Sequence, residues 1–197
     1  MKPNNKTFII CLISLALILS LSFTVYSFIH EISRPKLPVL AQVYDFSLID
    51  SFGKNFNLSR LRGRVWIADF FFTTCGDICP IMTKNFGKLQ RTFEKVKDAA
   101  LVSITVNPEF DSAQVLSEYA KKQEAKENQW YFLTGSREVI KNLAVKSFKL
   151  GSIDEPVFHS SYFSLVDKNG LIRGYYDGTK QEDLNRLFKD TAFLLKE

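Results

Sequence analysis

The sequence predicts an α/β domain with a central sheet, carried on one N-terminal transmembrane helix. Three observations predict it. Phe8 to Ile29 holds no charged residue over 22 positions. From Val43 to Glu197 strand-like and helix-like segments alternate. Within that part, the apolar run Val65 to Phe72 reads as a strand buried on both faces.

The uncharged stretch comes first. As a helix it would be about 33 Å long at ~1.5 Å per residue, the thickness of a bilayer core. A cleaved signal would have a shorter apolar region ending in small residues, whereas this run continues through Phe23, Val25, Tyr26, Phe28 and Ile29. An uncleaved anchor over residues 1–30 is therefore expected. Cys11 lies inside it as a small apolar residue. Lys2 and Lys6 precede the span without acidic company, which keeps the N-terminus in the cytoplasm and sends the rest across. Nothing before the span resembles an Arg- and Ser-rich transit peptide, so a single pass in a bacterial cytoplasmic (inner) membrane is expected, with the domain on the extracytoplasmic, periplasmic side. Residues 31–42 carry Pro35 and Pro38 and read as a short, stiff tether. Residues 43–197 make the domain.

In that domain, Tyr44, Phe46, Leu48 and Ile49 predict a first strand, with a turn at Ser51–Asn55 and a short return strand at Phe56. After the buried strand, Ile81, Met82, Phe86, Leu89, Phe93 and Val96 fall on one helical face, and Leu101 to Val106 is the next strand, parallel to the buried strand. Asp111 to Lys126 reads as a surface helix, Trp130 to Leu133 as a strand, and Arg137 to Phe148 as a helix. Tyr162–Val166 and Leu171–Tyr176 flank Asp167-Lys168-Asn169-Gly170, where Asn-Gly favours a tight primed hairpin turn. A last amphipathic helix runs from about Gln181 to Leu195.

The net charge is +5, but 26 basic and 21 acidic residues are interspersed without a basic stripe, which argues against nucleic acid as a partner. The chemistry lies in Cys75-Gly76-Asp77-Ile78-Cys79-Pro80, where the buried strand gives way to a helix opened by Pro80. Unsatisfied N–H groups and the positive helix end there are expected to lower thiol pKa values. Three readings compete, a structural disulfide, a redox pair or metal ligands, and the first is the weakest because a disulfide over so small a loop would remove little chain entropy. Thioredoxins carry C-x-x-C, one residue shorter. The peroxiredoxin pattern would need Pro and Thr at Ala68 and Phe72. His159 is the one histidine beyond the span, and its loop can face the end of the cysteine strand. Two thiolates and an imidazole are a soft set that suits copper, Cu(I) in particular. Asp77, a hard carboxylate, adds little to such a set and is expected to cap the loop or face solvent.

The cysteine motif, the loop Asn107-Pro108-Glu109-Phe110-Asp111-Ser112, and His159-Ser160-Ser161 leading to Asp167-Lys168-Asn169-Gly170 together resemble the SCO1/SenC family. The resemblance implies a thioredoxin-like fold, a central mixed sheet flanked by helices, on a single membrane anchor. It implies a copper-binding protein that assists assembly of the binuclear copper centre of cytochrome c oxidase, with Cys75, Cys79 and His159 as the metal ligands. The oxidase subunit bearing that centre is then one expected partner. A thioredoxin-like reductant is the other, because the thiols must be kept reduced outside the cytoplasm. Gly76 stands where the family commonly has Pro, and Asn107 where it often has Asp; both are expected to tune the site without removing a ligand. A thiol-disulfide oxidoreductase using Cys75 and Cys79 as its redox pair is the competing reading.

Overall fold

Seven consecutive buried residues, Val65–Phe71, form strand β4 at the middle of an eight-stranded sheet. The computed structural model describes residues 5–32, 37–151 and 160–197. The chain divides into two units, Met1–Lys36 and Leu37–Glu197.

In the first unit, helix α1 spans Asn5–Ile32. Apolar side chains such as Leu12, Ile13, Leu17, Leu21 and Phe23 are exposed and lie on all sides of it rather than along one stripe. Among the described residues no helix is long and apolar enough to cross a membrane. The anchor thus rests on the sequence pattern.

In the second unit, β1 (Ala41–Gln42), β2 (Ser47–Asp50) and β3 (Asn55–Asn57) precede β4. Helix α2 (Cys79–Thr92) joins β4 to β5 (Ala99–Thr105), and α3 (Ala113–Lys122) joins β5 to β6 (Trp130–Thr134). Helix α4 (Arg137–Asn142), strands β7 (Tyr162–Val166) and β8 (Leu171–Asp177) and helix α5 (Gln181–Leu194) complete the chain. The sheet order is β1-β8-β7-β4-β5-β6-β2-β3. β4, β5 and β6 are parallel neighbours, and the remaining pairings are antiparallel, so the sheet is mixed as expected.

Side-chain alternation along the parallel strands splits the core in two. Trp66, Ala68 and Phe70 join Ala100, Val102 and Ile104 on one face, against Ile140, Leu143 and Phe148. Val65, Ile67 and Phe71 join Leu101 and Phe132 on the other, against Met82, Phe86 and Leu89 of α2 and Leu187 of α5. The Phe86 ring packs at a tilt against Phe163 at 4.6 Å and Trp130 at 5.6 Å, which pins α2 to the sheet.

The structure departs from the sequence reading in four places. Residues 41–42, inside the stretch read as tether, pair with β8, and Arg173 holds the carbonyls of Leu37 and Pro38. The helix read over Asp111–Lys126 is shorter, because Glu124 takes a left-handed conformation just past its end (φ 55°). The helix read over Arg137–Phe148 widens into a π-helix over Leu143–Ser147, and Phe148 N–H reaches back to Leu143 O at 3.0 Å. The wider turn lets Leu143, Ala144, Ser147 and Phe148 all be buried. The Asn169-Gly170 hairpin is not a two-residue primed turn. Gly170 N–H donates to Asp167 O, Asp167 N–H to Leu171 O, and Gly170 alone has positive φ (80°), the pattern of a type I turn with a glycine bulge. Asp167 Oδ1 accepts from the N–H groups of Asn169 and Leu171 and settles the choice.

Phe86 is wholly buried. We expect Phe86→Ala to lower unfolding free energy by about 3–5 kcal/mol, read by denaturant unfolding. A loss below about 1 kcal/mol would show that α2 is not held by this contact.

Candidate functional site

β4 is hydrogen-bonded along its whole length to β5, and the chain leaves the sheet at Phe71. Phe72-Thr73-Thr74 then climbs out of it, and Cys75 N–H turns back to Phe72 O at 3.2 Å. Helix α2 begins at Cys79 with Pro80 in its first turn, where a missing N–H costs nothing. Cys79 is 5% exposed and packs in the core beside Met82, while Cys75 is half-buried in the loop. The two cysteines read from the motif are therefore together, and both are free thiols.

Their environments are unequal. Partial burial pushes the Cys75 thiol up, but hydrogen bonds from the Cys79 thiol and from the N–H groups of Asp77, Cys79 and Ile78 outweigh it and lower its pKa. Cys79 is pushed up to about 12, by burial first and then by its bond to Cys75. The expectation that the helix end lowers both thiols is thus corrected. It holds for Cys75 in the loop, whereas desolvation wins at Cys79. Of the two sulfurs, Cys75 is therefore the easier to ionise, and Cys79 is retained as thiol donor.

Beneath them lies a residue that sequence reading missed. Asp69 interrupts the run taken as wholly apolar, is 2% exposed, and keeps Oδ1 without a partner. Ser103 donates to it and in turn accepts from Trp130 Nε1 at 2.9 Å. Burial raises Asp69 to about 7, and its charge raises Cys79 and Tyr119 further. Tyr119, bonded to Thr83 at 3.1 Å and stacked on Phe71, closes this side. The signal available was an acid in the middle of a strand buried on both faces.

A second missed residue is Asp111. It is wholly buried and accepts from Thr73 N–H at 3.1 Å, from the Thr73 hydroxyl and from the Thr105 hydroxyl. Its own N–H donates to Asn107 O at 2.9 Å, and Asn107 N–H donates to Thr105 Oγ1 at 3.0 Å. Asn107 thus serves this loop through its backbone. Asp77 is exposed, the solvent-facing one of the two placements expected for it. A Cβ at Gly76 would meet nothing within 4 Å, so the glycine frees the loop without being sterically required.

His159 lies outside the described residues. The chain that follows it is described. β7 runs antiparallel to β4 with Ala68 opposite Ser164, so residues 160–162 enter the sheet at the end from which the cysteine loop leaves. Among the described residues no group of three or more histidine, cysteine or acidic side chains is placed to hold a metal. The two thiols are the soft donors present, and they fit a soft ion in chemistry.

The model of the family described as SCO1/SenC matches residues 37–193. The chain belongs to the SCO1/SenC family. A SCO1 protein homolog of Bacillus subtilis is 34% identical over 161 residues, covering 79% of this chain and 83% of that one. The fold agrees with solved family structures. BsSco, described as a member of the Sco family of cytochrome c oxidase assembly proteins and as containing a disulfide switch, is 33% identical, with a TM-score of 0.73 over 83% of this chain and 99% of its own. Arabidopsis thaliana ScoI, solved with copper bound, is 31% identical, with a TM-score of 0.62 over 79% of this chain and 97% of its own. The thioredoxin-like domain expected of a SCO1/SenC member is therefore the one observed.

Two outcomes test this site. Cys75 should alkylate with iodoacetamide at least tenfold faster than Cys79 at pH 7.5, read by peptide mass mapping; equal rates would remove the asymmetry. Asp69, with its folded pKa raised from 3.8 to about 7, holds a proton in the native state that the unfolded chain has lost. Stability should therefore fall as pH rises through this window, by up to roughly 4 kcal/mol. Asp69→Asn should flatten that decline in urea melts at pH 4 to 8, and an unchanged slope would assign the decline to another group.

Proposed function

We propose that this protein binds copper through Cys75, Cys79 and His159 and delivers it during assembly of the binuclear copper centre of cytochrome c oxidase. The observation that carries the reading is the thiol pair itself, one sulfur of lowered pKa beside a second at the first turn of α2. Family membership and the copper-bound relative support the metal. The entry of residues 160–162 at the thiol end of the sheet supports His159 as third ligand.

Copper is the cargo here. Cys75 offers the first thiolate, and Cys79 must release a proton to offer the second, so capture requires a reduced pair and becomes more favourable as pH rises. Transfer follows by exchange onto the thiolates of the oxidase copper-centre subunit. Outside the cytoplasm the pair needs a reductant, for which a thioredoxin-like dithiol protein is the fitting partner. The anchor over residues 1–30 holds the domain at the bacterial inner membrane on its extracytoplasmic side, with Lys2 and Lys6 on the cytoplasmic side.

A second reading has its own support. A Cys75 of lowered pKa backed by a buried thiol of high pKa is the arrangement of a dithiol reductant, and the BsSco relative is described as containing a disulfide switch. In that reading Cys75 attacks a disulfide in the oxidase subunit, and Cys79 resolves the mixed disulfide.

Copper loading separates the two. The reduced protein should bind one Cu(I). Cys75→Ser, Cys79→Ser and His159→Ala should each weaken binding at least ~100-fold in competition with a chromogenic chelator. His159→Ala should leave dithiol exchange within about twofold. Failure of the reduced wild type to bind Cu(I) would sink the copper reading in favour of the oxidoreductase.

A further inference from the structure

The Asp111 carboxylate is fully buried, yet among the described residues no lysine or arginine pairs with it. A buried carboxylate without a cation is expensive, and three neutral donors are what hold it. A neutral side chain could close the same loop at lower cost, so the position of those donors matters. Two belong to Thr73, two residues before Cys75, and the third to Thr105, the last residue of β5. The carboxylate thus ties the root of the thiol loop to the end of the neighbouring strand.

That tie defines how far the Cys75 sulfur can travel. On one side the loop is pinned at Thr73. On the other, α2 is fixed from Cys79 by the burial of Met82 and Phe86. Only residues 74–78 lie between, and Gly76 leaves them backbone freedom. The pair's two chemistries ask different things of this segment. Closing a disulfide brings the sulfurs to ~2 Å. Holding one metal sets each sulfur at ~2.3 Å from the ion and so leaves the two further apart.

We propose that Asp111 is a positioning residue for the thiol pair: by holding Thr73 it sets the reach of the Cys75 sulfur, and so the balance between the open dithiol that takes a metal and the closed disulfide. The metal half of this statement rests on the copper reading above. The disulfide half does not. In exchange with glutathione, the protein dithiol loses two electrons and two protons as the S–S bond forms, and glutathione disulfide gains them as two thiols.

The test uses the full chain in detergent, with the glutathione exchange constant, Cu(I) affinity and Tm measured for each variant. Thr73→Val removes one bond to Asp111 while keeping the backbone donor, and Thr73→Ser restores the hydroxyl. Asp111→Asn replaces one carboxyl oxygen that accepts these bonds with an amide donor. Asp50→Asn alters another buried carboxylate, one that clamps the turn at Phe52 and Lys54. Thr73→Val and Asp111→Asn should shift the exchange constant by roughly fivefold or more, about the worth of one net hydrogen bond. Thr73→Ser should restore it, and Asp50→Asn should lower Tm without moving it. A lowered Tm with an unchanged exchange constant in Thr73→Val would overturn the proposal and leave Asp111 a loop clamp. If Asp111→Asn does not fold, Thr73→Val and its serine rescue decide alone. A wild type that binds no Cu(I) would strike the copper reading, while the exchange constants would still test the positioning role.

Discussion

The burial of Cys79 at the first turn of α2 is the constraint on which the site depends. Helix α2 is held against the sheet by Met82, Phe86 and Leu89, and that packing draws the side chain at its first position into the core. Cys75, four residues earlier, remains in the loop and keeps access to solvent. The difference between the two thiols therefore originates first in ordinary core packing, to which Asp69 and the loop N–H groups add. Desolvation raises Cys79, and the hydrogen bond that Cys79 then donates is part of what lowers Cys75.

Two carboxylates extend the same economy beneath and beside the pair. Asp69 points into the α2 side of the core and raises Cys79, reinforcing its hold on a proton. Asp111 acts on the other cysteine, through the backbone and hydroxyl of Thr73 rather than through its field. Each buried acid is unfavourable for folding taken alone. The apolar packing around them, with Trp130 and Phe132 stacked at 4.9 Å and Phe71 edge-on to Phe132, offsets that cost.

The parts of this fold most legible in sequence were those where burial imposes a long pattern. Val65–Phe71 announced itself as an apolar run, and α2 as a 3.6-residue repeat opened by Pro80. The cysteine pair was legible because a strand-to-helix junction is a place where thiols acquire function. What sequence did not reveal depended on contacts distant along the chain. β1 is two residues long and exists because β8 offers its edge, and the π-helix exists because Phe148 must reach Trp66 and Phe70. Asp69 was hidden by its apolar neighbours. Asp111 looked like the start of a helix, since only the folded chain brings Thr73 and Thr105 to it.

The inequality of the two thiols also explains why copper capture and thiol exchange share one site without being the same event. Cys75, whose pKa is lowered by its hydrogen bonds, is the sulfur that ionises first to begin either reaction. The second step differs. Metal capture needs the Cys79 proton to leave to solvent or a base, while resolution of a mixed disulfide needs Cys79 to attack as its proton departs. Anything that makes Cys79 harder to ionise slows both. Metal capture has the added requirement of a third ligand, whereas disulfide closure needs only that the loop bring Cys75 to its partner. The fold therefore separates the two outcomes by geometry at Cys75 and by supply of the third ligand, while Cys79 serves both alike.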